Sequence, residues 1–204
     1  MKCILLSAAV LLGTQLHAQS RQAFHPIFSV GTRNTISLFN SDAAIGKGIG
    51  GQTRLQLSKR FNTEWYLDWI QSQTSRTARN DYHIGWSLMY YPGKQVDFLR
   101  VFQPYLIAGH CFDKTQVFEK GNRSNQASRL SMATQAGLGT HLNITPRFDC
   151  SVSGQYMLHF GKDIEAEETD GKLLIAKADH SHIDGHLLFT VSFNYKLLRS
   201  KKSL

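Results

Sequence analysis

Residues 178–186, ADHSHIDGH, set His180, His182, Asp184 and His186 at every second position, the spacing that lines side chains along one face of a β-strand. Two kinds of chemistry fit those residue types. Imidazoles at i and i+2 on a strand can share a metal ion, which makes His180, His182 and His186 metal-ligand candidates, with carboxylates available from Glu165, Glu167, Glu168 and Asp170 in the preceding EAEETD. Ser181, held between His180 and His182 with Asp179, Asp184 or Glu168 nearby, supplies the residue types of a Ser-His-acid hydrolase. Neither pattern is specific. The metal set lacks a His-x-x-x-His helix motif and a cysteine pair, and strand parity turns Ser181 away from the histidines that would have to activate it. Structural histidines at the mouth of a sheet, preceded by a solvated acidic loop, account for the same residues. No residue pattern asks for a cofactor.

The elements that must position these residues are strands. A chain of 204 residues suits one domain. Its first residues, MKCILLSAAVLLGTQLHA, have a basic start, a short apolar run and a small residue at Ala18, which predicts a cleaved export signal over 1–18. Beyond it no apolar run is long enough for a spanning helix. Period-two alternation predicts eight strands, near 27–39, 49–59, 63–73, 81–91, 103–115, 128–143, 147–160 and 181–197. Phe28, Val30, Ile36 and Leu38 oppose Ser29, Arg33, Thr35 and Ser37 in the first; Leu187, Phe189, Val191, Phe193 and Tyr195 oppose Asp184, His186, Thr190, Ser192 and Asn194 in the last. The fifth, PYLIAGHCF, is apolar on both faces near its start, so its inward face stays open.

Short joints after strands two and six (KRFN, ITPR) alternate with looser polar ones after one, three, five and seven, the last running from Lys162 to Asp179. The joint after strand four, about a dozen residues, fits this alternation worst. One face carries Trp65, Tyr90, Phe148, Phe160 and Tyr195 near strand ends, as interfacial girdles require, and the other carries small, polar and charged groups. The expectation is an all-β, eight-stranded antiparallel up-and-down transmembrane barrel over 19–197 with a basic tail over 198–204; a soluble ligand carrier with the apolar face inside is the alternative. Folding strands two and three about Phe61 sets Arg54 opposite Asp68 and Ser58 opposite Glu64. Folding six and seven about Thr145 sets His141 opposite Asp149 and Gln135 opposite Gln155. These form the predicted lumen network, filling a space too narrow for a wide pore.

The segments QPYLIAGHCF and AGLGTHLNITPRFDCSVSGQYML, with Gly137 and Gly139 before a tight turn at Thr145 and Pro146, resemble the fifth to seventh strands of the bacterial eight-stranded outer-membrane β-barrel family, the OmpA-like or porin family group. The resemblance extends over nearly the whole exported chain and implies residence in a Gram-negative outer membrane. Many members end on an aromatic residue read by the assembly machinery; here the aromatics stop at Tyr195, which moves that signal inward to Phe193 and Tyr195. Some barrels of this size act on lipid A, so a lipid A deacylase-like hydrolase at Ser181 is one alternative function and a small pore another, although the expected Ser-His-Asn motif is absent. The function expected first is structural or loop-mediated interaction, non-enzymatic, with outer-membrane lipid and extracellular or envelope partners. The net charge of +8 comes with no nucleic-acid motif, and export argues against such a partner. Cys111 and Cys150, on strands five and seven, are separated by about 10 Å, beyond the ~7 Å reach of a disulfide, and are predicted free.

Overall fold

Local alternation, not helix propensity, sets the architecture. The computed structural model describes residues 26–39, 45–92, 101–169 and 171–197, the side chains of 179–182 excepted. The strands are β1 (Phe28–Phe39), β2 (Ile45–Gln56), β3 (Phe61–Gln73), β4 (Thr77–Tyr90), β5 (Phe102–Glu119), β6 (Asn122–Asn143), β7 (Phe148–Thr169) and β8 (Lys172–Lys196). Each pairs antiparallel with its sequence neighbours, and β1 closes on β8, giving a closed eight-stranded barrel. The expected signal segment 1–18, the tail 198–204 and most of the fourth joint (93–100) lie outside the described residues.

The assigned faces hold among the described side chains. In β1, Ser29, Arg33, Thr35 and Ser37 are buried while Val30, Ile36 and Leu38 are exposed. The face left open in β5 resolves with Gln103, Tyr105, Ile107, Cys111, Asp113 and Thr115 inward and Leu106 and Phe112 outward. Outside, Ile49, Leu67, Ile84, Phe112, Met132, Leu138 and Phe193 are all more than half exposed. Phe61 contacts Tyr90 at 5.2 Å between ring centroids, and Trp69 stacks on Tyr82 at 6.3 Å. Eight residues separate these two pairs along each strand, roughly 27 Å along the chain and about 21 Å along the axis of a barrel tilted ~40°, close to the ~25 Å apolar band of outer-membrane barrels. Trp65, expected near a strand end, instead sits mid-band opposite Trp86.

Register departs from expectation, by an even number of residues in both tested hairpins. Arg54 lies opposite Glu64, and Asp68 opposite Gly50, so the expected opposition of Arg54 to Asp68 is wrong by four residues. Ser58 is in the turn, not opposite Glu64. His141 lies opposite Ser151 and Gln135 opposite Met157, while Asp149 faces Asn143 and Gln155 faces Gly137, a slip of two. The cause is a turn used twice, Leu57-Ser58-Lys59-Arg60-Phe61 and Ile144-Thr145-Pro146-Arg147-Phe148. In each, the Ser58 or Thr145 hydroxyl accepts from the backbone N–H groups two and three residues on, and the Phe61 or Phe148 carbonyl oxygen accepts from two N–H groups. A hydroxyl-closed turn of this kind fixes the first strand pair as Leu57/Phe61 or Ile144/Phe148. Both turns lie at the barrel end where the chain enters and leaves, since Lys196 N–H donates to Arg147 and Leu197 N–H to Phe28.

The opposite end corrects a second expectation. The joints read as loose after strands three, five and seven are short: 74–76, 120–121 and 170–171. Gly121 (φ 88°) and Gly171 (φ 73°) supply the left-handed backbone of the last two turns. The acidic stretch from Lys162 to Asp179 is therefore no loop but the upper halves of β7 and β8, strands of 22 and 25 residues against 12 for β1 and β2. A register shift between Lys162 and Ile164 marks where this arm leaves the barrel wall.

Candidate functional site

Inward parity places three layers inside the barrel. At the end near the chain termini, Arg33 Nε donates to both Asp68 carboxylate oxygens at 3.0 Å, and its Nη1 donates to Glu64 at 2.6 Å and Gln52 at 3.1 Å, with the guanidinium 4.1 Å from the Tyr66 ring centroid. Arg54 reaches across to β7, donating to Asp149 at 2.6 Å and to His141 at 2.8 Å. Asn194 and Lys196 also bind Asp149, at 3.0 and 3.5 Å. Tyr91 hydroxyl meets His141 at 2.7 Å. The predicted lumen residues Arg54, Asp68, Glu64, His141 and Asp149 are thus all buried members of one plug, but in different partnerships. His141 and Asp149 do approach, diagonally, at 3.8 Å. Folding adjacent strands onto each other finds only hairpin neighbours; Arg33, which serves Asp68 and Glu64 from β1 across β2, was out of its reach.

Above the plug lies an apolar layer of Tyr66, Ile70, Cys111, Ala133, Met157 and Leu188. It interrupts a lumen expected to be polar throughout. Tyr66 hydroxyl donates to Gln135, which donates to Ser87, so Gln135 pairs here and not with Gln155. The Tyr66 ring fills the space a Cβ at Gly85 would take, and Tyr105 does the same at Gly139, so both glycines are needed for close approach. Cys111 is buried in this layer and Cys150 faces outward; both are free.

The third layer gathers His83 (β4), Asp113 (β5), Ser131 (β6), His159 (β7) and His186 (β8). Ring centroids lie 4.8 Å apart for His159 and His186 and 6.1 Å for His83 with each of the others. His159 Nδ1 is 3.2 Å from Asp113 Oδ2, and His83 Nε2 is 3.5 Å from Asp113 Oδ1. His186, expected at the open rim, is instead 1% exposed beneath Phe39, whose ring centroid is 5.0 Å from its own. It shares this layer with His83 and His159, which the i, i+2 spacing could not have found because they come from other strands. His180, Ser181 and His182 belong to β8, with Ser181 opposite Lys162 and His182 opposite Gly161, but their side chains lie outside the described residues, as does that of Asp179.

Toward the mouth a partly open cavity of about 350 Å³ is lined by Phe39, Ser72, Thr77, Arg79, Asp163 and Glu165 among others. Arg79 binds Asp81 at 2.9 Å and covers the Phe39 ring. The β7–β8 arm leans over this mouth. Arg76, in the β3–β4 turn, pairs with Glu168 at 2.6 Å and donates to the Gly171 carbonyl; Asn125 of β6 donates to the Leu173 carbonyl and accepts from Ile175 N–H; Arg129 pairs with Asp163 at 2.8 Å. Of the predicted carboxylates, Glu168 is thus spent on an ion pair and Glu165 and Glu167 line the cavity, while Asp170 lies outside the described residues.

A closed eight-stranded antiparallel barrel with an apolar band outside and ion pairs inside defines the fold of the small outer-membrane β-barrels. Its likeness to particular members is structural. The chain is similar to Neisserial surface protein A (NspA; TM-score 0.56, 14% identity, covering 84% of this chain and 97% of that one). It is also similar to a major outer membrane protein of Thermus thermophilus (0.56, 11%, 85% and 100%) and to OprG of Pseudomonas aeruginosa (0.55, 14%, 85% and 96%). No family model matches the chain. No curated protein matches it either.

Proposed function

We propose that this chain is an exported outer-membrane barrel whose wall is an anchor and whose working surface is the set of hairpins projecting from the end opposite its termini. The observation that carries this is the contrast between a filled lumen and an extended mouth. Two buried arginines and three carboxylates plug one end, an apolar layer follows, and β5 to β8 continue beyond the band as paired arms. A lumen so filled leaves no continuous polar route for solutes. The arms offer acidic and basic groups to a partner at the cell surface, with Lys172, Lys177 and Glu167 exposed.

The test has two arms. In fractionated cells the full chain is expected in the outer membrane, with mobility that shifts on heating, and protease added to intact cells is expected to cut within 162–179. Reconstituted in planar bilayers, the protein is expected to be silent; steady ion conductance or recovery in the soluble fraction would overturn the proposal.

A further inference from the structure

We infer that His83, His159 and His186 form a binding site for one divalent late first-row transition-metal ion, of the Zn²⁺ or Cu²⁺ class, with Asp113 orienting the His159 ring. Five of the six ring nitrogens in this layer, His83 Nδ1 and Nε2, His159 Nε2 and both of His186, have no hydrogen-bond partner among the described residues, though all three rings are at least 98% buried. Native interiors rarely leave so many polar atoms unmet in one place, and clustered exceptions mark a role beyond packing. The apolar layer beneath offers them nothing, because it presents Met157, Leu188 and Cys111.

The second observation is Asp113. Its Oδ2 lies 3.2 Å from His159 Nδ1, which holds that nitrogen as the donor and leaves Nε2 with its lone pair directed elsewhere. Its Oδ1 lies 3.5 Å from His83 Nε2 without a hydrogen bond between them, so both His83 ring nitrogens stay unmet among the described residues. The Ser131 hydroxyl donates to Asp113 Oδ2 at 3.3 Å, and the Thr115 hydroxyl proton is shared between Asp81 Oδ1 at 2.7 Å and Asp113 Oδ2 at 3.1 Å. A carboxylate behind the far nitrogen is the arrangement that fixes tautomer and ring direction in metal-bound histidine.

The third is spacing. Ring centroids 4.8, 6.1 and 6.1 Å apart lie within about 1 Å of the ~5 Å spacing that three imidazoles take around one tetrahedral ion bound at ~2.1 Å. As placed, no group of three His, Cys, Asp or Glu side chains among the described residues can hold an ion, so occupancy requires the three rings to turn toward one another. Three neutral imidazoles leave the fourth position of a tetrahedral ion open to water.

Charge and access agree. The layer and the cavity above it hold Asp81, Asp113, Asp163, Glu165 and Glu167 against Arg79 and Arg129. Phe39 lines that cavity and touches His186, so a cation entering from the mouth meets the site directly behind one ring.

The experiment uses the full exported chain folded in detergent, stripped with EDTA, and titrated with Co²⁺ by visible absorption and with Zn²⁺ and Cu²⁺ by competition. One ion per chain is expected, with about 100-fold weaker binding for each of His83→Ala, His159→Ala and His186→Ala and about 10- to 100-fold for Asp113→Asn. His110→Gln, on the barrel exterior, and the pair His180→Ala with His182→Ala are expected to bind as the unaltered protein does. Heat-shifted mobility verifies folding, and glutamine replaces alanine where a variant fails that check. Absence of stoichiometric binding by the unaltered chain overturns the inference whatever the variants do. So does binding that survives in the His159→Ala, His186→Ala double variant or is lost only with His180 and His182. None of these outcomes depends on what the arms bind.

Discussion

The two polar layers of the lumen look alike in composition and differ in how their groups are met. In the layer near the termini, each charged side chain has an opposite charge or a hydrogen-bond partner: Arg33 has three acceptor residues and Asp149 four neighbours. In the layer near the mouth, two of three histidines approach one carboxylate, and most of the ring nitrogens stay unpaired among the described residues. The apolar layer between them keeps the two from exchanging partners. Burial makes the first layer a structural necessity, because a charge removed from water must be paired where it stands. In the second, buried ring nitrogens stand without hydrogen-bond partners among the described residues.

Breaking the first layer is expected to cost most. Arg33→Ala strands Glu64 and Asp68 together without their cation and is expected to lower stability by about 3 to 5 kcal/mol, read as a lower urea midpoint in detergent or as loss of the heat-shifted band. Replacing Arg33, Glu64 and Asp68 together with apolar residues of similar volume is expected to recover most of that loss, because no uncompensated charge remains. Gly85→Ala tests the layer between: it forces the Tyr66 ring out of place and is expected to cost roughly 1 to 3 kcal/mol in the same titration. In metal-free protein, His186→Leu is expected to change stability by less than about 1 kcal/mol, since it removes nitrogens that had no partner. A loss as large as that of Arg33→Ala would erase the distinction between the layers. Arg76→Ala removes a partly exposed pair with Glu168, with an expected cost of at most about 1 kcal/mol, and its effect is sought instead in faster proteolysis of the β7–β8 arm.

Much of this was legible from residue order. Alternation assigned the faces of Arg33, Asp68, Asp149 and His186 correctly because a side chain's face depends only on its position along its own strand. Register was not legible to the same degree. A slip of two or four residues leaves the same residues inside, so Arg54 against Asp68 and Arg54 against Glu64 satisfy the faces equally. The signal that separates them was present in LSKRF and ITPRF, where a hydroxyl residue closes the turn one position after the last apolar residue. Likewise Asp170-Gly171, a dipeptide that favours a two-residue hairpin turn, stands inside the stretch that reads as the longest loop.

Sequence alone determined an all-β chain of two-faced strands, with its apolar side outward and Arg33, Asp68, Asp149, His159 and His186 inward, because a period of two is a local property of the backbone. Only the tertiary structure decided which inward groups meet. His83, His159 and His186 belong to β4, β7 and β8, and closure of the barrel, with its tilt and stagger, is what carries them to one level across the lumen.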